Sequence, residues 1–450
     1  MILYTILKFL VKIGIRVFFR KIVVHGWENR PSEGPLIIAV NHPNTLMDPL
    51  LVAVMMKQRV GFLANASLFA NKLVNQLFAI LHTIPVYRKQ DVAPGEPIDN
   101  DETFGKVYEY LDKNGTIMIF PEGTSFSEMK LRKIKTGTAR IALGYEKQQQ
   151  FQRNTQILTV ALNYSEPTRF RSKVEITFNP PIPISEYQEK YAQDDFQTVR
   201  ELTDRIRHEL AEDLIITEDK DQEELLKRIN TIYKEFLTQK LSLSRDSAIE
   251  FTILKELANG MRFLKGKDEG LYLQIEKETN EYFDLLETHE LNDHMITSQG
   301  IRKLTIVRKF FNVISLFLFF PLYFLGVITN YLPYWLPARI AGAITDEIEY
   351  RAPIMMVSGI FLFPLFYLVE TLLFHHFLAL HPWHTLGFVL LLPISGFMAL
   401  GYMDNLTWFT HRLKMEIAAL QNPELIQQLV AEKGEILEML ESVRRIYEER

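Results

Sequence analysis

The chain has 450 residues, of which 47% are hydrophobic and 23% charged, and this balance excludes a disordered chain and a collagen-like one. Its 50 Lys and Arg residues against 55 Asp and Glu give no overall positive charge, so nucleic acid is not an expected partner. The sequence contains no cysteine, which excludes disulfides, Cys-ligated metal sites and thiol catalysis. The mean hydropathy is close to zero, but it averages segments of very different character.

Residues 1–20 predict an amphipathic helix that lies on a membrane surface. Four basic residues recur at four-residue spacing, which places them on one helical face among almost wholly apolar positions: Lys8, Lys12, Arg16 and Arg20. A secretory signal peptide is the alternative. The charges interrupt every candidate apolar core, however, and no small-residue cleavage site follows.

Residues 21–185 predict an α/β domain whose mostly parallel sheet is flanked by helices. Seven short runs rich in β-branched residues predict strands: KIVVHG, PLIIAV, VGFLA, HTIPVY, GTIMIF, ILTVALNY and KVEITF. Amphipathic segments between them predict helices near 48–58, 67–81, 102–113 and 136–148. Such alternation is typical of α/β domains. The nearly continuous apolar character of LIIAV and TIMIF predicts strands covered on both faces.

The rest of the chain predicts three further regions. Residues 186–300 are rich in Glu, Lys, Gln and Leu with apolar positions at helical spacing, which indicates an all-α module. Residues 305–405 are strongly apolar and predict C-terminal membrane helices. Residues 406–450 predict a charged helical tail.

Within the membrane region, three apolar stretches are long enough to cross a bilayer: 310–328, 353–374 and 385–403. Basic residues lie just before the first stretch and just after the last, which favours the same side of the membrane for both ends. We therefore expect 353–403 to form a spanning hairpin, with 310–337 lying shallow or folding back. Three full spans are the alternative.

The segment NHPNTLMD (41–48) is the first candidate for catalysis, because it joins an apolar strand directly to a helix. Histidine suits proton transfer near neutral pH, and a carboxylate on its second nitrogen fixes the tautomer. His42 and Asp48 would point about 120° apart on a regular helix, so contact requires a strand-to-helix turn. Pro43 and Asn44 are suitable turn residues. Taken alone, the segment also fits a capped turn without catalytic function.

The segment FPEGTS (120–125) predicts a phosphate site at the end of another strand. Gly123 lets backbone amides approach a ligand, and Thr124 and Ser125 supply hydroxyl groups. Four basic residues follow before the next helix: Lys130, Arg132, Lys133 and Lys135. Amides, hydroxyls and cations in one loop suit a phosphate monoester. Glu122 would repel phosphate, so we expect it to accept a hydrogen bond from a substrate hydroxyl or to hold a cationic side chain.

A third strand, in IPVYR (84–88), ends beside Arg88, which offers a bidentate contact to phosphate. Ligand sites of open α/β sheets lie beyond the carboxyl ends of the strands. We therefore expect all three segments to meet at one edge of the sheet.

In this order, NHPNTLMD, IPVYR, FPEGTSFS and VALNYSEPTRF resemble the four motifs of the PlsC-like glycerophosphate acyltransferase superfamily over about residues 30–185. The resemblance implies that His42 is the general base and Asp48 its orienting partner. It also implies that Arg88, Glu122, Gly123 and Thr124 bind the phosphate and glycerol of the acceptor. Phe126 stands where the family usually has His, which puts any role of that position in doubt.

The spacing within the first motif refines the resemblance. Most of the superfamily has four residues between His and Asp, whereas this chain has five. The pattern of His42, Asn44, Asp48 and Pro49 is similar to that of fungal-type glycerol-3-phosphate/dihydroxyacetone-phosphate acyltransferases. The resemblance thus implies glycerol 3-phosphate or dihydroxyacetone phosphate as the acceptor, and Asn44 as part of the site.

The expected reaction takes a fatty acyl group from acyl-CoA or acyl-carrier protein as co-substrate, with no cofactor and no metal. Membrane lipid is the other expected partner, with an integral membrane location and the active site at the cytosolic surface. A lysophosphatidate acyltransferase and a non-catalytic, lipid-binding membrane scaffold are the alternatives.

Overall fold

A computed structural model describes residues 2–66, 81–86, 101–240, 247–297, 300–301, 303–378 and 381–449. The helix predicted near 67–81 and Arg88 therefore lie outside the described residues, apart from position 81 itself. The chain divides into two units. The first comprises Met1–Ile216 with Ala341–Val357, and the second comprises Thr217–Ile340 with Ser358–Arg450.

The first unit is built on a mostly parallel sheet, and all seven predicted strands are confirmed. The strands are β1 (Lys21–His25), β2 (Leu36–Val40), β3 (Val60–Asn65), β4 (Thr83–Val86), β5 (Thr116–Ile119), β6 (Gln156–Tyr164), β7 (Lys173–Phe178) and β8 (Ile182–Pro183). Their order is β1-β7-β6-β2-β5-β3-β4, with β8 paired to β6. β6, β2, β5, β3 and β4 run parallel to one another, and β7 is antiparallel to β6.

The centre of this sheet is covered on both faces, as the apolar runs predict. Every residue of β2 and of β5 is buried. The flanking helices are α1 (Ile2–Phe18), α2 (Met47–Met55), α3 (Asp101–Asp112), α4 (Gly137–Gln148), α5 (Gln188–Gln193) and α6 (Asp195–Asp213). The two polar motif loops begin where these two buried strands, β2 and β5, end.

The first unit extends beyond the boundary that the sequence places at residue 185. Helix α6 belongs to it because Leu202, Ile206 and Leu210, at helical spacing, join the core that contains Ile157 and Ala161 of β6. The charged residues of α6 lie on its outer face. They led the sequence analysis to assign this helix to the all-α module.

Helix α1 has two different faces. Tyr4, Ile15 and Phe18 are buried, and Lys8 Nζ donates to the backbone carbonyl of Met56 at 2.6 Å. Apolar residues at helical spacing are exposed on the other side: Ile2, Ile6, Phe9 and Ile13. An exposed apolar stripe of this kind is typical of a helix that contacts a membrane or a partner.

The described residues beyond Ile216 are mostly helical and include one short strand pair, β9 (Ile296–Thr297) and β10 (Gly300–Ile301). The helices are α7 (Lys220–Lys240), α8 (Ser247–Lys267), α9 (Glu269–Thr288), α10 (Ile306–Ile344), α11 (Ile348–Leu378), α12 (Pro382–Gln421) and α13 (Pro423–Glu448). In the second unit α7, α8, α9 and α13 pack on one another. These four helices thus form one bundle.

Among the described residues, three helices are long and apolar enough to cross a membrane: Ile306–Ile344, Ile348–Phe377 and Pro382–Gln421. Helix α10 continues unbroken past Pro321, Pro333 and Pro337, so the segment 310–337 does not fold back. Apolar helices tolerate internal proline where neighbouring groups satisfy the freed carbonyls. The spanning hairpin over 353–403 stays a prediction.

Polar side chains join the candidate membrane helices within the second unit. Asn330 Nδ2 in α10 donates to the backbone carbonyl of Leu392 in α12 at 3.2 Å, and Tyr367 in α11 donates to Asn330 Oδ1 at 2.6 Å. A Cβ at Gly326 would collide with the carbonyl of Ser395. Small residues at close helix crossings and interhelical hydrogen bonds are typical of helix packing within membranes.

Candidate active site

The first two predicted segments lie at one edge of the sheet. β2 and β5 are parallel neighbours, with Ala39 opposite Ile119. NHPNTLMD leaves the end of β2 and FPEGTS leaves the end of β5. The amide of Phe126 donates to the carbonyl of His42 at 3.2 Å, which joins the two loops directly. The prediction that they meet is confirmed, whereas Arg88 is not described.

His42 and Asp48 are in contact, as the predicted turn requires. His42 Nδ1 lies 2.9 Å from Asp48 Oδ2, and Asp48 is fully buried in the first turn of α2. The amide of Asn44 donates to the same oxygen at 2.8 Å. Because Nδ1 faces Asp48, Nε2 is the ring nitrogen that remains for proton transfer with a substrate.

Tyr164 completes the surroundings of Asp48, and the sequence analysis gave it no role. Its hydroxyl, at the end of β6, donates to Asp48 Oδ1 at 2.7 Å. Burial raises the pKa of Tyr164 well above its ordinary value, and the charge of Asp48 adds to that shift. Tyr164 is thus a neutral donor at any ordinary pH. The sequence feature that could have identified Tyr164 is its position in the fourth motif, at the end of a strand adjacent to β2.

The ring of His42 is held on its face as well as at its edge. It stacks on Phe120, with 3.9 Å between ring centroids and 17° between the planes. The His42 side chain is 18% exposed. The ring is thus fixed in direction while one edge stays accessible, which is the arrangement that a general base needs.

Glu122 joins the two loops through backbone amides. Its Oε1 accepts from the amide of His42 at 2.9 Å, and its Oε2 accepts from the amide of Arg132 at 3.0 Å. Burial raises the pKa of Glu122 above its ordinary value, although these two amides oppose the shift. The sequence analysis expected a substrate hydroxyl or a cationic side chain as its partner. The structure shows backbone donors, and a substrate contact stays a prediction.

The predicted phosphate-binding residues Gly123, Thr124 and Ser125 follow Glu122 directly, and Lys135 lies beside them. Gly123 has a φ of 75°, and a Cβ there would collide with Lys135 Nζ. The side chain of Lys135 is exposed and that of Thr124 half-buried. Ser125 Oγ accepts from the amide of Thr45 at 2.9 Å. An ammonium group beside an open turn is a suitable place for an anion.

Asn44 is fully buried, and its side-chain amide donates to the carbonyl of Pro167 at 2.7 Å. In this structure it anchors the turn between β2 and α2, and its role in binding substrate stays a prediction. Among the described residues, no group of three or more His, Asp or Glu side chains is placed to hold a metal ion.

The chain is similar to curated proteins over part of its length. The chain is 29% identical to glycerol-3-phosphate O-acyltransferase 2 of Saccharomyces cerevisiae over 220 residues, which are 49% of this chain and 28% of that protein. It is 25% identical to glycerol-3-phosphate O-acyltransferase 1 of the same yeast over 305 residues, 64% of this chain and 39% of that protein. The alignments thus span well under half of these relatives.

A solved structure, the 1-acyl-sn-glycerophosphate acyltransferase PlsC from Thermotoga maritima, aligns with 23% identity and a TM-score of 0.32, over 45% of this chain and 79% of that one. The acyltransferase family model matches residues 21–163. That match begins at β1 and ends within β6, so it includes both motif loops. This stretch of the chain is therefore similar to the acyltransferase family.

Proposed function

We propose that this chain is a membrane-bound O-acyltransferase of glycerolipid synthesis. It moves a fatty acyl group from acyl-CoA or acyl-carrier protein to a hydroxyl of glycerol 3-phosphate or dihydroxyacetone phosphate. The observation that carries the proposal is the bond between His42 Nδ1 and the buried Asp48 Oδ2, at 2.9 Å, at the carboxyl end of β2. The family match over residues 21–163 supports it.

The proposed chemistry is direct transfer assisted by a general base. His42 Nε2 removes the proton of the acceptor hydroxyl while that oxygen attacks the thioester carbonyl. Asp48 holds the ring and stabilises the imidazolium that forms. Backbone amides near the Gly123 turn stabilise the tetrahedral oxyanion. The tetrahedral intermediate then expels the thiolate, which takes the proton from His42. This route forms no acyl-enzyme.

The acceptor's phosphate is proposed to bind at the turn after β5. Lys135 Nζ lies beside the positive-φ turn at Gly123, and Thr124 and Ser125 add hydroxyl groups there. Arg88 is proposed as a further cation. The names of the two yeast relatives and the five-residue spacing between His42 and Asp48 favour glycerol 3-phosphate over lysophosphatidate.

The membrane gives the reaction a place to release its product, which is amphiphilic. The exposed stripe of α1 is proposed to lie in the headgroup region and to seat the α/β unit there, with the active site on the cytosolic side. The three long apolar helices support membrane association.

The test is an acceptor panel with the purified full chain in detergent. Acyl-CoA or acyl-carrier protein is supplied with glycerol 3-phosphate, dihydroxyacetone phosphate, lysophosphatidate or, as the phosphate-free control, glycerol. We expect ester formation with one of the first two and little with glycerol. Activity confined to lysophosphatidate would overturn the acceptor assignment. No transfer to any acceptor with either donor would favour the non-catalytic scaffold instead.

A further inference from the structure

The first turn of α11 contacts both motif loops of the acyltransferase unit. Residues Ala341–Val357 belong to that unit, although the sequence placed them within the membrane region. Thr45 Oγ1 donates to the backbone carbonyl of Glu349 at 2.9 Å. The amide of Ser127 donates to Glu349 Oε1 at 3.1 Å. One residue, far along the chain, thus holds the loop that follows β2 and the loop that follows β5.

The backbone at Thr45 needs such support. Thr45 has a φ of 34°, in the left-handed region that β-branched residues rarely adopt. A residue in that conformation persists only where its surroundings fix it. Thr45 is buried, its amide donates to Ser125 Oγ at 2.9 Å, and its hydroxyl donates to Glu349. Glu349 therefore supplies one of the bonds that keep this turn in place, three residues after His42.

The two loops also share bonds with each other, so a displacement of one moves the other. Ser125 Oγ binds the amide of Thr45, and the amide of Phe126 binds the carbonyl of His42. Glu349 binds one residue in each loop, immediately beside these two bonds. The carboxylate of Glu349, through Ser127, and its backbone carbonyl, through Thr45, thus complete a connected network that runs from the general base to the proposed acceptor loop.

We propose that Glu349 is a positioning residue for acyl transfer. It keeps the acceptor loop, residues 123–127, in register with His42, so that a bound acceptor hydroxyl meets Nε2. This inference rests on the proposed function. It makes the start of a candidate membrane helix, α11, a part of the active site's support. Geometric precision of this kind is what substrate-positioning residues contribute to a reaction rate.

The experiment compares Glu349→Ala, Glu349→Gln and Glu347→Ala in the full chain. Gln keeps an oxygen that accepts from Ser127, whereas Ala does not. Glu347 is exposed and lies just before α11, two residues from Glu349, so it is a matched control for loss of a carboxylate. We measure kcat and the KM of the acceptor, together with hydrogen exchange at the amide of Ser127. The exchange measurement needs no activity, so it also tests the contact if the proposed function fails.

We expect Glu349→Ala to raise the acceptor KM roughly tenfold, the factor that corresponds to one lost hydrogen bond to a charged group. Exchange at Ser127 should be faster in the same variant. Glu349→Gln should restore both quantities to within about twofold of the wild type, because a hydrogen bond to a neutral acceptor remains. Glu347→Ala should match the wild type.

Two results would overturn the proposal. One is a Glu349→Ala chain with the acceptor KM and Ser127 exchange of the wild type. The other is a Glu349→Gln chain as impaired as Glu349→Ala, which would mean that the charge acts in some other way. If Glu349→Ala does not fold, Thr45→Val and Thr45→Ser replace it. The first removes the hydroxyl bond to Glu349 and should raise KM, whereas the second keeps the bond and should not.

Discussion

Buried carboxylates in the two units have opposite kinds of partner. In the α/β unit, Glu122 accepts from two backbone amides. In the helical unit, Glu441 is also buried, but it accepts from the cationic side chains of Lys240 and Arg444 and from the Tyr233 hydroxyl. Burial raises the pKa of Glu122, whereas the cationic and hydroxyl donors around Glu441 outweigh its burial and lower its pKa to about 2.

The difference follows from what each carboxylate has to hold. Glu122 fixes the backbone of two loops at the proposed active site, and its backbone amide donors do so without a cationic side chain. Glu441 joins α13 to α7, where long cationic side chains can reach between helices. The same residue type is thus part of an active-site frame in one unit and a clamp between helices in the other.

The comparison predicts the largest effect for Glu122→Gln. Gln keeps one acceptor but turns an NH2 group toward a backbone amide, so one buried N–H loses its partner. Such a loss costs about 1–3 kcal/mol. We expect the thermal midpoint of the α/β unit to fall and turnover to drop with it. A Glu122→Gln chain with wild-type midpoint and turnover would show that the two amide bonds do not hold the site together.

Tyr164→Phe should have the next largest effect, because it removes one hydrogen bond to Asp48 without changing the packing. The expected loss is about 1 kcal/mol of stability, or about fivefold in turnover if the loss falls on the transition state. Steady-state kinetics with saturating acceptor, together with a thermal melt, separates the two. Wild-type turnover and a wild-type thermal midpoint in Tyr164→Phe would show that Tyr164 has no role in the site.

Glu441→Gln should cost less, about 0.5–1 kcal/mol, because Lys240 is 41% exposed and regains water when the pair is broken. A control is Lys277→Gln, which breaks an exposed pair with Glu281 on α9 and should change the midpoint by less than about 0.5 kcal/mol. A larger loss from Lys277→Gln than from Glu441→Gln would contradict the role assigned to the Glu441 clamp.

The two carboxylates should also respond to pH with opposite sign. The folded pKa of Glu441, about 2, lies below its ordinary value of 4.5, so its contribution to stability is present above pH 4.5 and is lost as pH falls toward 2. The folded pKa of Glu122 is raised, so its contribution is present below pH 4.5 and is lost as pH rises through that raised value. Thermal melts from pH 7 to pH 3 test this. As pH falls, the midpoint difference between the wild type and Glu441→Gln should shrink, whereas the difference between the wild type and Glu122→Gln should grow.

The sequence predicted the strands and the meeting of the two motif loops well, because both depend on local patterns. β-branched runs define the strands, and parallel neighbours place their ends together. A contact between His42 and Asp48 requires a strand-to-helix turn, and Pro43 and Asn44 were recognisable in the sequence as turn residues. These inferences use only residues within one motif or within neighbouring strands and helices of the sequence.

The partners of the site residues were less predictable, because they depend on tertiary geometry. The amides that bind Glu122 are backbone groups, which leave no mark on the sequence. Tyr164 reaches Asp48 from another strand, and Glu349 bonds to Thr45 across 304 positions. The sequence analysis grouped α6 with the all-α module because most of its residues are charged or polar. Its few apolar residues, however, join the core of the α/β unit.

The most direct test of the account is the turnover of His42→Ala with glycerol 3-phosphate and an acyl thioester, in a chain whose thermal midpoint and fold match the wild type. General-base assistance contributes about 10²- to 10⁴-fold, so we expect turnover to fall by that factor. Wild-type turnover in a well-folded His42→Ala chain would contradict the mechanism proposed for this site.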